Sequence, residues 1–371
     1  MQNDVIQYFL QLVTIDSESL NERRMIDALK IDLEELGCIV EEDDCQKLTG
    51  GNAGNLHAIF PGTVDKAPIL FCSHVDTVSP GKSINATIVG DKIVSDGTTV
   101  LGSDDKSGIS EIMIALKRVK ESGKAHAPVE ILFTVSEEIG LLGAKGFDKS
   151  KLKAAMGYAL DSHNVGELIT GAPCQKSFDI IFYGKEAHAG VEPEKGLNAI
   201  RVAAEAIAAM PNGRIDYETT CNVGLISGGE ATNIVPSKVV VKGEARSHNL
   251  EKLARVCEDI HQAVVSTVAR YESQGASFDY ECITEYDSFS ISAESEVVLM
   301  AQEVLRGLNL PFTTCISGGG SDANVLSASG IPIIITGTGM QRVHTVKEFI
   351  ELDQLRRGAD FVEALIYKYS E

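Results

Sequence analysis

The chain lacks any CxxC pair among its eight cysteines, and it lacks an apolar run approaching the roughly 20 residues of a membrane span. The cysteines (Cys38, Cys45, Cys72, Cys174, Cys221, Cys257, Cys282, Cys315) are scattered, several inside apolar runs such as ILFCSHVD, and read as reduced, mostly buried thiols. Basic residues are scarce, 33 Lys and Arg against 53 Asp and Glu, a formal charge of −20. That balance argues against nucleic acid or an anionic membrane as partner, since either requires clustered cations. Part of the acid excess could be carboxylates that only a bound metal neutralises. The N-terminal MQNDVIQYFLQLV has neither a basic leader nor a small-residue cleavage site. It reads instead as an amphipathic helix with Val5, Phe9 and Leu12 on one face, and the expected location is the cytoplasm. Internal repeats and low-complexity linkers are absent as well.

What is present is an ordinary globular composition, 44% hydrophobic and 23% charged, over 371 residues, a length that suggests two domains. Residues 20–36 place Met25, Leu29, Leu33 and Leu36 at helical spacing, with Gly37 as the stop. Short strand-like runs follow (NLHAIF, PILFCS, VEILFTVS, MGYAL), and a helical pattern from Lys106 to Glu121 separates the second from the third. This alternation predicts an α/β layer with a mostly parallel sheet. After about residue 173 the pattern changes to SFDIIFYG, CNVGLIS and KVVVKGEAR with two interleaved helices, resembling a small α+β sandwich. From about Glu285 helix, Gly-rich loop and the apolar IPIIIT return. The expectation is one α/β domain, residues 1–173 and 285–371, interrupted by a smaller one at 174–284.

Metal-type side chains fall just past several predicted strands: His74 and Asp76 after PILFCS, Glu137 and Glu138 after ILFTVS, and Asp161 at the end of MGYAL. Ligands bind at that edge of open α/β sheets. The loop LGSDDKSG, with Asp104 and Asp105, and His344 after the last apolar strand fit the same edge. Each piece has a plain alternative, because paired acids are common at helix starts, where the dipole favours them. Together, imidazoles with several carboxylates suit zinc or a similar divalent ion. One carboxylate shared between two ions would let five residues and a water hold both, with a free carboxylate beside them as general base.

At this point the sequence resembles a known family, the two-zinc aminoacylase, carboxypeptidase and peptidase T metallopeptidases, and within it the peptidase T-like tripeptidases. The likeness runs in order through SHVDTV, DGTTVLGSDDKSGI, FTVSEEIGLLGAKGF, ALDSHNVGELITGAP, GKEAHAG, ATNIVPSKV, GEARS, SGGGSDAN and the His344 segment. It implies a metallopeptidase catalytic domain interrupted by a lid and dimerisation domain, and a homodimer formed through that lid. It implies two Zn²⁺ per subunit, with Mn²⁺ or Co²⁺ as substitutes. His74 and Asp161 would bind one ion, Glu138 and His344 the other, and Asp104 would bridge both. Asp76 would fix the His74 tautomer, and Glu137 would be the general base toward a zinc-bridged hydroxide. The peptide bond after the bridging Asp104 would be cis. His188 would stabilise the oxyanion and Arg246 would grip the substrate carboxylate. Asn233 and the Gly318, Gly319, Gly320 loop would also touch substrate, while His57 and His163 read as structural.

The activity implied is release of the N-terminal residue from short peptides such as tripeptides. A deacylase or carboxypeptidase acting on N-acyl amino acids would use the same ligands. A catalytically dead, metal-dependent binding protein is the contrasting class, and the completeness of the ligand set argues against it.

Overall fold

The apolar runs of the first half become strands buried on both faces. Ile69–His74 and Val129–Thr134 have every residue buried, which is what a parallel sheet covered by helices on both sides demands. The computed structural model describes residues 4–371. These divide into two units: one of residues up to Gly171 with Phe289–Ser317 and Ser321–Glu371, the other of Ala172–Ser288 with Gly318–Gly320.

The first unit is built on an eight-stranded sheet. In spatial order its strands are Ile39–Glu42, Leu56–Phe60, Val129–Thr134, Ile69–His74, Met156–Ser162, Ile333–Gly337, Glu167–Ile169 and Thr313–Cys315. The four central strands, from Val129–Thr134 to Ile333–Gly337, are mutually parallel, so their C-terminal ends share one edge. Helix Ser103–Ser122 packs against the C-terminal helix Leu352–Ser370 and against Asp4–Val13. In the N-terminal helix Val5, Phe9 and Leu12 are buried, the face expected from their spacing. Helix Arg23–Leu36 stops at Gly37, whose φ of +92° is readily adopted without a Cβ. A four-stranded antiparallel sheet containing Thr87–Val89, Lys92–Val94 and Phe349–Glu351 was not anticipated, because its short strands carry no alternating pattern.

The second unit has a five-stranded antiparallel sheet ordered Gly213–Arg214, Thr219–Gly228, Lys238–Ser247, Cys174–Tyr183, Ser277–Tyr286. Along Cys174–Tyr183 the residues Phe178, Ile180 and Phe182 point inward, opposite Gly243, Val241 and Val239. They pack with helices Ala199–Ala209 and Leu250–Ala269 into a separate core. Gly243 must be glycine here, since a Cβ would lie 2.2 Å from the Phe178 ring. The sheet sets this unit's limits slightly outside 174–284. Its last strand runs to Tyr286, and a Cβ on Gly320 would meet the Tyr286 ring at 2.3 Å, which places the glycine loop with this unit.

Among the described residues no helix is long and apolar enough to cross a membrane. None of the eight cysteines is paired in a disulfide; six are buried and Cys315 is exposed.

Candidate metal centre

Three parallel strands deliver the first residues of the site to one edge. His74 ends Ile69–His74, Glu137 and Glu138 follow Val129–Thr134, and Asp161 sits near the end of Met156–Ser162. Asp104 and Asp105 open helix Ser103–Ser122 with non-helical backbone angles, and the peptide bond between them is cis. Ligand atoms of His74, Asp104 and Glu138 all lie within 4.8 Å of one another. His344 Nε2 completes the cluster, 3.0 Å from Glu138 Oε1 and 3.2 Å from Asp104 Oδ2.

The two oxygens of Asp104 face different imidazoles: Oδ1 is 3.0 Å from His74 Nε2, and Oδ2 faces His344. On the other side of the His74 ring, Nδ1 is 3.0 Å from the carbonyl oxygen of Asp76 and 3.4 Å from its carboxylate. A carbonyl only accepts, so Nδ1 carries a hydrogen; Nε2 also carries one toward the Asp104 carboxylate here, and it is the nitrogen whose lone pair a metal would take in place of that proton. The nearer partner is thus the Asp76 backbone rather than the expected carboxylate. That carboxylate accepts from the Glu137 and Glu138 N–H groups (2.9 and 3.2 Å) and from the Ser19 hydroxyl (2.7 Å).

The loop carrying the two glutamates is held from below. Ser136 has a φ of +54°, strained for a residue with a Cβ, and its N–H and hydroxyl both donate to buried Glu22. Asn55 accepts from Val135 N–H at 3.0 Å and donates to the Gly143 carbonyl at 3.0 Å. Position 143 has no room for a side chain, as a Cβ would sit 2.2 Å from the Val135 oxygen. Replacing Asn55 by Ala leaves the buried Val135 N–H without its acceptor and removes one of the donors to the Gly143 carbonyl, which the Phe147 N–H also serves. The variant is expected to lose about 2–4 kcal/mol in urea unfolding, and a loss under about 0.5 kcal/mol would show the loop to be held otherwise.

The electrostatics are those of a cluster short of cations. Burial pushes the Glu137 carboxyl well above the usual range, and the charges of Asp161 and Asp322 add to it. Asp161 is raised to about 8 by burial and by Asp104, and Asp322 to about 6, chiefly by burial. Burial would lower the His74 imidazole, but the Asp104 and Asp76 carboxylates outweigh it and raise it well above normal. His344 is raised to about 10 by its bonds to Asp104 and Glu138. Burial opposes ionisation of Asp104 too, yet the two histidines hold it below its ordinary value. Imidazole protons therefore occupy the space between carboxylates that divalent ions would occupy. Oxygen and nitrogen donors converging around one carboxylate that faces both ways fit metal ligation.

Sequence reasoning missed several supports. Buried Asp105 accepts from the Ser73 hydroxyl at 2.5 Å and the His74 N–H at 3.4 Å. Buried Asp322 bonds the Thr134 hydroxyl, while its Oδ1 has no hydrogen-bond partner. Glu348 accepts from the segment leading into Asp104. Only Asp105 and Asp322 lay within quoted motifs, and no local pattern marked any of them as buried.

The remaining candidates belong to the second unit. His188 is exposed on the short strand Ala187–His188, and its Nδ1 accepts from Gly190 N–H at 3.2 Å. The carbonyl of exposed Asn233 accepts from Ala189 N–H at 2.9 Å, tying the AHAG and TNIVP loops together. Arg246 makes a two-pronged pair with Glu244, Nε and one terminal nitrogen each 3.0 Å from a carboxylate oxygen. Gly318, Gly319 and Gly320 form the loop beside Tyr286. His57 Nε2 donates to the carboxylate of buried Glu130 at 2.7 Å.

Comparison with known proteins adds family context. The family model described as peptidase dimerisation domain matches residues 173–272, and that of peptidase family M28 matches residues 55–188. The uncharacterized protein YqjE of Bacillus subtilis is 40% identical over 363 residues, covering 98% of this chain and 97% of its own length. The crystal structure of aminopeptidase PepT from Bacillus cereus superposes with a TM-score of 0.89 at 40% identity, covering 100% of this chain and 99% of that one. A tripeptidase structure from Staphylococcus aureus gives a TM-score of 0.92 at 36% identity, covering 99% and 98%.

Proposed function

The chain belongs to the peptidase T-like branch of the aminoacylase, carboxypeptidase and peptidase T metallopeptidase family, and as a peptidase of that branch we propose that it releases the N-terminal residue of tripeptides at a two-metal centre. The observation that carries this reading is Asp104, whose two oxygens face His74 and His344 separately, as a bridging ligand would. His74 and Asp161 are assigned to one ion, Glu138 and His344 to the other. Zinc suits this mixture of imidazole and carboxylate, and manganese or cobalt could take the same places.

When bound, the ions supply Lewis acidity, polarising the scissile carbonyl and acidifying the attacking water. The chain's own groups do the rest. Glu137 accepts the water's proton on its carboxylate and returns it to the leaving amine; its buried surroundings favour the protonated form, so it can hold that proton between the two steps. Asp76 keeps Glu137 and Glu138 in place through their N–H groups and keeps the His74 lone pair on Nε2. His188 is assigned to the oxyanion and Arg246 to the substrate carboxylate, for which Arg246 would exchange Glu244 as partner. Asn233 and the 318–320 loop are assigned to substrate contact. The dimerisation-domain match supports a homodimer as the working form.

A substrate panel tests the reading. Free tripeptides, N-acetylated amino acids and C-terminally amidated peptides should be compared on protein of measured metal content. Hydrolysis of free tripeptides, with N-acetylated compounds at least about 100-fold slower in kcat/KM, is expected, because a site built to pair a charged terminus rejects a substrate lacking it. Cleavage of the acylated compounds alone would make the enzyme a deacylase with the same centre.

A further inference from the structure

Four residues after His344 in sequence, Glu348 is almost fully buried. Its carboxylate is saturated from one direction. Oε2 accepts from the N–H groups of Leu101 (2.7 Å) and Gly102 (2.9 Å), while Oε1 accepts from the Ser103 hydroxyl (2.6 Å) and the Asp104 N–H (3.0 Å). The donors are the last residues before the carboxylate that faces both imidazoles.

These donors have no helical partners. Asp104 (φ −84°, ψ 101°) and Asp105 (φ −121°, ψ 32°) fall outside helical geometry, so the first N–H groups of helix Ser103–Ser122 need an outside acceptor. Glu348 is that acceptor. Its own position is fixed relative to His344 by a turn: its N–H donates to the Thr345 carbonyl at 3.1 Å, and the Thr345 hydroxyl donates to the Arg342 carbonyl at 2.7 Å. One side chain therefore joins the loop presenting Asp104 to the loop presenting His344. Beside this carboxylate, the two segments meet at the 3.2 Å approach of His344 to Asp104 and at the Ser107–Thr338 hydroxyl pair, 2.8 Å apart.

We propose that Glu348 is a positioning residue that locks the Asp104 and His344 loops together and thereby sets the metal affinity of the centre. The proposal rests on the two-metal reading above. A carboxylate is suited to the task because its two oxygens can serve two pairs of donors at once, and charge-assisted bonds to N–H groups are short and strong. An amide of the same shape keeps one oxygen and turns an NH₂ group toward two donors.

The test uses the full chain, stripped of metal and titrated with Co²⁺, with visible absorption and competition against a chelating dye as readouts. Glu348→Gln is expected to weaken cobalt binding by about 10- to 100-fold, the usual range for partners that orient ligands. Its KM for a tripeptide should stay near that of the unmodified chain, and its kcat should fall at limiting metal and recover with excess. Ser103→Ala keeps the carboxylate and deletes a single donor, so it should weaken binding less; it carries the test if Glu348→Gln does not fold. Unchanged cobalt affinity in the folded variants, with only a lower Tm, would overturn the proposal. If instead the unmodified chain fails to take up two ions or to cleave peptides, the two-metal peptidase reading is what falls.

Discussion

Replacing Glu137 by Gln should cut kcat/KM on a tripeptide by about 10²- to 10⁴-fold, the span that a positioned general base contributes. The substitution keeps the shape of the side chain and removes its ability to take a proton. Metal content should not change, because the proposed ligand places are filled by His74, Asp104, Glu138, Asp161 and His344, leaving Glu137 as the base. Stability should hold or rise slightly, since burial already disfavours the charged form of this carboxyl. Measuring metal by elemental analysis beside turnover separates the two roles open to a Glu-Glu pair. A parallel loss of bound metal would make Glu137 a ligand, and near-normal turnover would remove it from the mechanism.

Stripping the metal should destabilise the protein increasingly as pH rises. Asp161 (about 8), Asp322 (about 6) and the His344 imidazole (about 10) all have folded-state pKa values above their ordinary ones. The metal-free folded chain consequently binds more protons than the unfolded chain over this range, and its stability falls with pH. For the two carboxyls the contribution is full below about pH 4 and is lost as pH rises through about 6 and about 8. For His344 it is full below about 6.5 and lost through about 10. Divalent ions replace these protons and favour the ionised ligands, so the Tm gap between loaded and chelated protein should widen between about pH 5 and about pH 8, reaching roughly 5–10 °C at the upper end. Calorimetric binding heats should depend on the buffer, reporting released protons. A gap that is flat or shrinks over that range would mean that the cluster is not neutralised by metal.

The strands were readable because each is a short apolar run ending abruptly in polar residues, and the same abrupt ends marked His74, Glu137, Glu138 and Asp161 as edge residues. The supports beneath them were not readable. Glu348 sits in HTVKEF, where a charged residue reads as solvated, and its donors lie 244 to 247 positions earlier in the chain. Glu22 likewise meets Ser136 across 114 positions. A buried carboxylate is specified by donors that only the folded chain assembles, so a local pattern cannot announce it. Arg246 is the opposite case. Glu244 and Arg246 stand two apart on one strand and so share a face, which makes their pairing legible from GEAR alone. The second unit's limits shifted for a similar reason, since the contact of Gly320 with Tyr286 joins segments that sequence order keeps apart.

The central sheet also dictates a timetable for biosynthesis. Strand Ile333–Gly337 lies beside Met156–Ser162, with Ile333 opposite Gly157, although the whole second unit is made between them. The chain must therefore be made through Gly337 before the first unit can close its sheet, and contacts of such long sequence separation form late and slowly. His344 emerges after that strand. A chain not yet extended past His344 consequently lacks one imidazole of the cluster, whatever the first strands have already brought together.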